Sequence, residues 1–444
     1  MNANLSRYTV REQGNARDVA LYALLNINNG GRKANVFLRE TLDKNSALEV
    51  RDKALCEHIV TSTLDHLFSI DGILAEYSRT PVSKLNPCIR EILRMTVCQM
   101  LYMDRIPESA SINEACELAK VHGMPGLAGF VNGVLRSIAR DRKNTGENTR
   151  FHKVMNDGAV RWSVPRWLYL KFTEDFGKEA AEKIFESWLL LRKTPVRINR
   201  SLGKTEAEIC RMIEEEGIGL ERIEAEPPVY ELEGLSGMGV QSLKAFREGY
   251  ITVQDASAAL LTKYAPPAEG DRIIDLCAAP GGKSLAYADA LHGTGHVDSR
   301  DVSEAKTVKI LENVERCGFR NVTVRVGDAT VKDKDALGTA DLVIADTPCS
   351  GLGVVAKKPD IKKNLTPESI TELVQLQRTI LTNAAEYLKK GGRLVYSTCT
   401  VTKEENEGNF YWACDKLPLK PLSMQRIQPD LHHDGFFIAV FERI

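Results

Sequence analysis

RIIDLCAAPGGKS, residues 272–284, decides how the second half of this 444-residue chain is read. Ile273 and Ile274 form a short apolar run ending in Asp275. A turn of small residues follows, Cys277, Ala278, Ala279, Pro280, Gly281 and Gly282, and then Lys283 and a helical pattern. A buried strand that empties into a glycine turn and a helix lets backbone approach a ligand closely, with amides pointing outward. Working outward, short apolar runs recur at 272–276, 296–298, 322–326, 342–345 and 394–396, separated by helical stretches. That alternation predicts an α/β domain, a parallel sheet with helices on both faces.

Ligands of such a sheet bind beyond the carboxyl ends of its strands, at the switch point of the strand order. After the second run stands Asp301, placed to accept from ribose hydroxyls, with Asp298 three residues before it. After the third comes Asp328, after the fourth Asp346-Thr-Pro-Cys349-Ser-Gly-Leu-Gly353, and after the fifth Ser397-Thr-Cys399-Thr400. Free cysteines often fill cores, and that reading suits Cys277 and Cys317. Cys349 and Cys399 differ, because each follows a strand end on the ligand side. GGKS also resembles the end of a phosphate-binding loop, and LVIAD at 342–346 a magnesium-holding strand. The phosphate-loop pattern needs Gly where Cys277 stands, so a nucleoside ligand suits the acids better. A nucleotide hydrolase and a catalytically silent RNA-binding protein remain the competing readings.

Residues 16–142 carry apolar positions every three or four residues, as in Leu127, Phe130, Val131, Val134, Leu135 and Ile138. A second stripe, from Ile89 to Leu101, starts behind Asn86-Pro87, a capping residue and a first-turn proline. An all-helical domain is expected over 1–145, bounded by the polar tract DRKNTGE at 141–147. A linker and small α/β unit follow over 146–240, with strand-like runs at 196–199, 229–232 and 250–254 around a helix at 205–215. The ligand-binding domain is expected over 241–444.

A net charge of -1, from 59 Lys and Arg against 60 Asp and Glu, excludes a uniformly basic nucleic-acid binder. It does not exclude a local basic face. Arg136, Arg140, Arg142, Lys143, Arg150, Lys153, Arg161 and Arg166 gather around Trp162 and Trp167, the ingredients of a single-strand RNA surface or of a solvated helix face. Lys357, Lys358, Lys362 and Lys363 follow Cys349 on a long connection that can hold phosphates. Ten cysteines without a CxxC pair or a zinc spacing read as free thiols in a reducing compartment, with no metal. No apolar stretch has signal-peptide or membrane-spanning length, so the expectation is a soluble cytoplasmic protein.

Together, APGGK at 279–283, DTPCSG at 346–351 and STC at 397–399 resemble the motifs of the RNA cytosine-C5 methyltransferases of the NOL1/NOP2/Sun family. The likeness runs from about residue 194, including Arg197-Ile-Asn199, to Asp434-Gly-Phe-Phe437. SINEACELAK at 111–120 and FVNGVLR at 130–136 are similar to NusB. The fusion resembles bacterial 16S rRNA methyltransferases of this family, with Thr347 standing where Ala is commoner.

The resemblance implies a NusB-like RNA-binding domain before a Rossmann-like, S-adenosylmethionine-dependent domain. S-adenosylmethionine would be held by residues 277–283, Asp301, Asp328 and Asp346. Cys399 would attack carbon 6 of the base, Cys349 would assist release, and Asp346 would meet the pyrimidine edge. Arg197, Asn199, Lys357 and Lys358 would face RNA. The implied substrate is 16S rRNA or a small-subunit precursor, at cytosine 967, and the implied protein a monomer. The chemistry asks for a thiolate, since carbon 5 of cytosine is a poor nucleophile until carbon 6 is attacked.

Overall fold

The structure is a computed structural model that describes residues 14–144, 149–235 and 239–444. Residues 145–147 of the expected boundary tract lie outside the described residues. The chain divides into two compact units. One comprises residues up to Leu189 together with Lys358–Lys363, the other Leu190–Lys357 and Asn364–Ile444.

The first unit is helical. Its opening helix, Ala16–Gly30, is capped by the Asn15 side chain, which accepts from the amides of Arg17 and Asp18, and it stops at Gly31 in a left-handed conformation (φ 67°). Asn86 caps the helix Pro87–Tyr102 in the same way. That helix is buried nearly all round and serves as the axis of the unit. Helix Ala128–Lys143 buries Val131, Val134, Leu135 and Ile138, while Leu127 before it is exposed.

The helices after residue 149 pack into this same compact unit, which extends to Leu189. Gly72 lets Val160 press against helix Leu67–Tyr77, where an added Cβ would come within 2.8 Å of Val160 Cγ2. The Ser163 hydroxyl accepts from the amides of Phe68 and Ser69. Lys362 is 1% exposed and donates to the carbonyls of Asp65 and Ser163. Lys363 donates to the Asn28 carbonyl. Both lysines were expected to grip phosphates, and both are instead spent satisfying buried carbonyl oxygens.

In the second unit, strands β1 (Thr194–Ile198), β2 (Gly219–Glu224), β3 (Val229–Glu233) and β4 (Ile251–Val253) form an antiparallel sheet in the order β2-β3-β1-β4. Helix Glu206–Glu214 covers it, fixed by a Thr205/Glu208 capping box. β4 lies past residue 240, so the small sheet runs beyond the boundary expected there.

The larger sheet contains β5 (Arg272–Asp275), β6 (His296–Asp301), β7 (Val322–Val326), β8 (Ala340–Asp346), β9 (Leu388–Thr398), β10 (Leu419–Ile427) and β11 (Phe436–Arg443). Its order is β10-β11-β9-β8-β5-β6-β7. β5 to β9 are parallel, as the alternation predicts. β10 and β11 add antiparallel, so the sheet is mixed. Ile273 packs into one apolar layer and Ile274 into the other, which is why the strand is a continuous apolar run. The chain leaves β5 toward β6 and β7, then returns to β8 on the opposite side. The switch point therefore opens between the carboxyl ends of β5 and β8.

Candidate active site

At that switch point the turn after β5 is held from below. Asp275 is fully buried and accepts from Ser284 Oγ at 2.6 Å. Burial, and then the charge of Asp346, push its carboxyl up to about 7. The Ala278 amide donates to the Arg300 carbonyl at 2.8 Å, and Gly281 takes φ 105° to start helix Gly282–Ala290. A side chain at Gly281 would be strained and would meet Ile310 Cγ2 at 3.3 Å, so glycine is required there. Cys277 packs against the apolar layer, where burial pushes its thiol up.

Asp301, at the end of β6, accepts from the amides of Ala279 and Val302 and pairs with Lys306 at 3.0 Å. Asp298 is engaged elsewhere. Although burial opposes its charge, Arg325 and Arg300 hold its carboxyl below the usual range. Asp328 is exposed after β7, and the Thr330 hydroxyl and amide lower it. A cavity of about 230 Å³ opens there, bounded by Leu276, Gly327, Asp328 and Ala329 among others. A glycine turn at a helix start, an acid beside it and a cavity at the next strand end fit the groups of a nucleoside cofactor.

Across the switch point, Lys283 Nζ lies 2.7 Å from Asp346 Oδ2, and Ser397 Oγ donates to Asp346 Oδ1 at 2.7 Å. Burial works against the lysine's charge, but Asp346 and then Cys399 hold it above its ordinary value. The coupling is reciprocal, so the ammonium favours a Cys399 thiolate. Cys349 Sγ and Cys399 Sγ are 3.3 Å apart. The hydrogen bond to Cys399, reinforced by burial, raises the Cys349 thiol well above its ordinary value. Both effects favour Cys349 in its protonated form.

The loops behind the sulfurs are pinned together. Gly353 N donates to the Cys399 carbonyl and Gly435 N to the Gly353 carbonyl, each at 2.9 Å. A Cβ on Gly353 would fall 1.8 Å from the Gly435 carbonyl oxygen.

A family model described as 16S rRNA methyltransferase RsmB/F matches residues 263–442, and the NusB family model matches residues 14–140. A probable ribosomal RNA small subunit methyltransferase B of Bacillus subtilis is 34% identical over 88% of this chain and 86% of its own. The chain belongs to the RsmB/F methyltransferase family. Ribosomal RNA small subunit methyltransferase B of Proteus mirabilis is 30% identical over 97% of this chain and 99% of its own. The solved structure of PH0851 superposes with a TM-score of 0.79 at 26% identity, covering 96% of this chain and 98% of that one. A methyltransferase homologue from Pyrococcus horikoshii gives 0.57 at 25% identity, over 65% and 99%.

Several residues expected to face RNA do other work in this RsmB/F chain. Arg197 is 1% exposed, pairing with Asp289 at 3.2 Å and donating to Gln254. Asn199 is fully buried and donates to the Gly249 carbonyl and Thr252 Oγ1. Lys357 bridges Asp255 and Asp434 at 2.6 and 2.8 Å. All three hold the fold of the second unit. Lys358 is exposed, and so are all eight basic residues from Arg136 to Arg166. Arg161 lies over the Trp162 ring.

Glu221, Glu231 and His432 bring ligand atoms within 4.8 Å of one another, but Lys193 and His432 already pair with the two carboxylates. Among the described residues no helix is long and apolar enough to cross a membrane. Sequence reasoning missed Glu405, which lies fully buried behind both cysteines. Its one-dimensional signal, an acid in the charged run KEENE, is indistinguishable from a solvated helix face.

Proposed function

We propose that this chain methylates carbon 5 of a cytosine in 16S rRNA, at the position the family resemblance names as 967, through a covalent bond from Cys399 to carbon 6. The observation that carries this reading is the pair of thiols 3.3 Å apart beside the Lys283–Asp346 ion pair at the switch point. S-adenosylmethionine, held by the 277–283 turn, Asp301 and Asp328, supplies the methyl group that carbon 5 accepts.

The protein's own residues do the rest. Lys283 favours the Cys399 thiolate, which adds to carbon 6 and moves electron density toward carbon 5 and N3. Asp346, oriented by Ser397 and Lys283, meets the pyrimidine edge where negative charge builds. Cys349, held as a thiol, stands next to the sulfur that must leave when the carbon 5 proton is removed, and it assists that release. The basic residues from Arg136 to Arg166, with Lys358, supply phosphate contacts. A stacked target base must be turned out to reach such a site, at a cost of roughly a few kcal/mol unless it lies in a loop.

The test is incubation with 16S rRNA lacking this modification and methyl-labelled S-adenosylmethionine, followed by nucleoside analysis and mapping. Label in 5-methylcytosine at one position supports the reading. Label on another base or carbon, or none in RNA, defeats it.

A further inference from the structure

Glu405 is a carboxylate with no exposed surface, and its charge is met by hydrogen bonds from neutral groups. One oxygen accepts from the Ser350 amide at 2.8 Å and from Gln377 Nε2 at 3.0 Å. The other accepts from the Ser350 hydroxyl and from Thr402 Oγ1 at 2.6 Å. These donors come from three separate segments: the loop after β8, helix Pro367–Tyr387 and the loop after β9. Ser350 directly follows Cys349, and its hydroxyl also meets Thr400 Oγ1, next to Cys399, at 2.7 Å. Gln377 further donates to the carbonyl of Pro348, the residue before Cys349. The backbone beside both sulfurs is thus tied to this network.

A buried carboxylate is expensive unless its lone pairs are filled, and here they are filled largely by the two cysteine loops. We propose that Glu405 is a positioning residue that sets the spacing and orientation of the Cys349 and Cys399 thiols. It touches no substrate, and it acts by fixing Ser350 against Thr400. The charge also has a second consequence, after the Cys399 hydrogen bond and burial: it favours Cys349 as a thiol rather than a thiolate. The catalytic meaning of this spacing rests on the function proposed above, whereas the spacing itself does not.

Thiol cross-linking reads the spacing without RNA or cofactor. Diamide takes two hydrogens from the two thiols and becomes its hydrazine, leaving a disulfide whose 349–399 peptide is quantified by mass spectrometry. The full-length wild-type protein should cross-link readily. Glu405→Gln keeps the side chain's size but turns an amide toward donors, and it should link about tenfold more slowly, a change of the order expected from losing a charge-assisted hydrogen bond. Thr402→Ala removes a single donor and provides a milder variant if the first does not fold. In methylation assays, Glu405→Gln should lower turnover and let a covalent protein–RNA complex accumulate, with KM for S-adenosylmethionine unchanged. Cross-linking at the wild-type rate in both variants would overturn the proposal. Absence of methylcytosine with the wild-type protein would defeat the proposed function, while slower cross-linking in the variants would still support Glu405 as the spacer.

Discussion

Replacing Asp275 with asparagine tests the electrostatics beneath the cofactor turn. Asp275 is fully buried, and its carboxyl is pushed up to about 7 from the usual 3.8, first by burial and then by Asp346. A raised folded-state value means that the native protein prefers the protonated form. Stability from this group is therefore fully present below about pH 4 and is lost as pH climbs toward 7. At about 1.4 kcal/mol for each pH unit between the unfolded and folded values, the loss across that window approaches about 4 kcal/mol. Asparagine keeps the shape and an oxygen for Ser284 Oγ, but it does not titrate. Relative to wild type, Asp275→Asn should gain about 1.4 kcal/mol of stability per pH unit between about pH 4 and 7, then level off. Urea unfolding followed by Trp412, the one tryptophan of the second unit, measures this at successive pH values. A difference between variant and wild type that stays constant with pH would refute the reasoning, whatever its size.

The other predictions concern the site and its supports. Gly353→Ala would set a Cβ 2.8 Å from the Cys399 carbonyl oxygen as well as against Gly435, so methyl transfer should fall about a hundredfold while S-adenosylmethionine binding, measured by calorimetry, persists. Arg197→Met leaves Asp289 buried without its cation and should cost about 3 kcal/mol in denaturant unfolding, with RNA affinity of the folded protein unchanged. Lost RNA affinity at unchanged stability would reverse that assignment. Lys283→Met removes the ammonium that favours the Cys399 thiolate, so the rising limb of the pH–rate profile should move up by about one pH unit. An unmoved limb would mean that Lys283 does not act on the thiol.

The strand ends were legible because short apolar runs, glycine turns and acids recur along the second half of the chain, and a parallel sheet gathers its carboxyl ends by construction. That logic places the 277–283 turn, Asp301, Asp346, Cys349 and Cys399 at one switch point. It does not extend to Phe436–Arg443, whose apolar run joins the sheet antiparallel, because strand direction depends on the connection and not on composition. Arg197 and Asn199 misled for a related reason: a polar residue in a short strand gives no sign that Asp289 or Thr252 waits from a distant segment. Lys357 and Lys362 look alike in a lysine-rich connection, yet one meets two carboxylates and the other two buried carbonyls. Glu405 was invisible because the donors that define it lie as far as 55 residues away in the chain.

The central claim is that Cys399, and not its neighbour, bonds to the base. Its most direct measurement is peptide mass spectrometry of protein incubated with unmodified 16S rRNA and S-adenosylmethionine, then denatured and digested. The account predicts a pyrimidine attached to Cys399, accumulating when Cys349 is replaced by Ala and absent when Cys399 is. A pyrimidine on Cys349, or an adduct that survives Cys399→Ala, would contradict it.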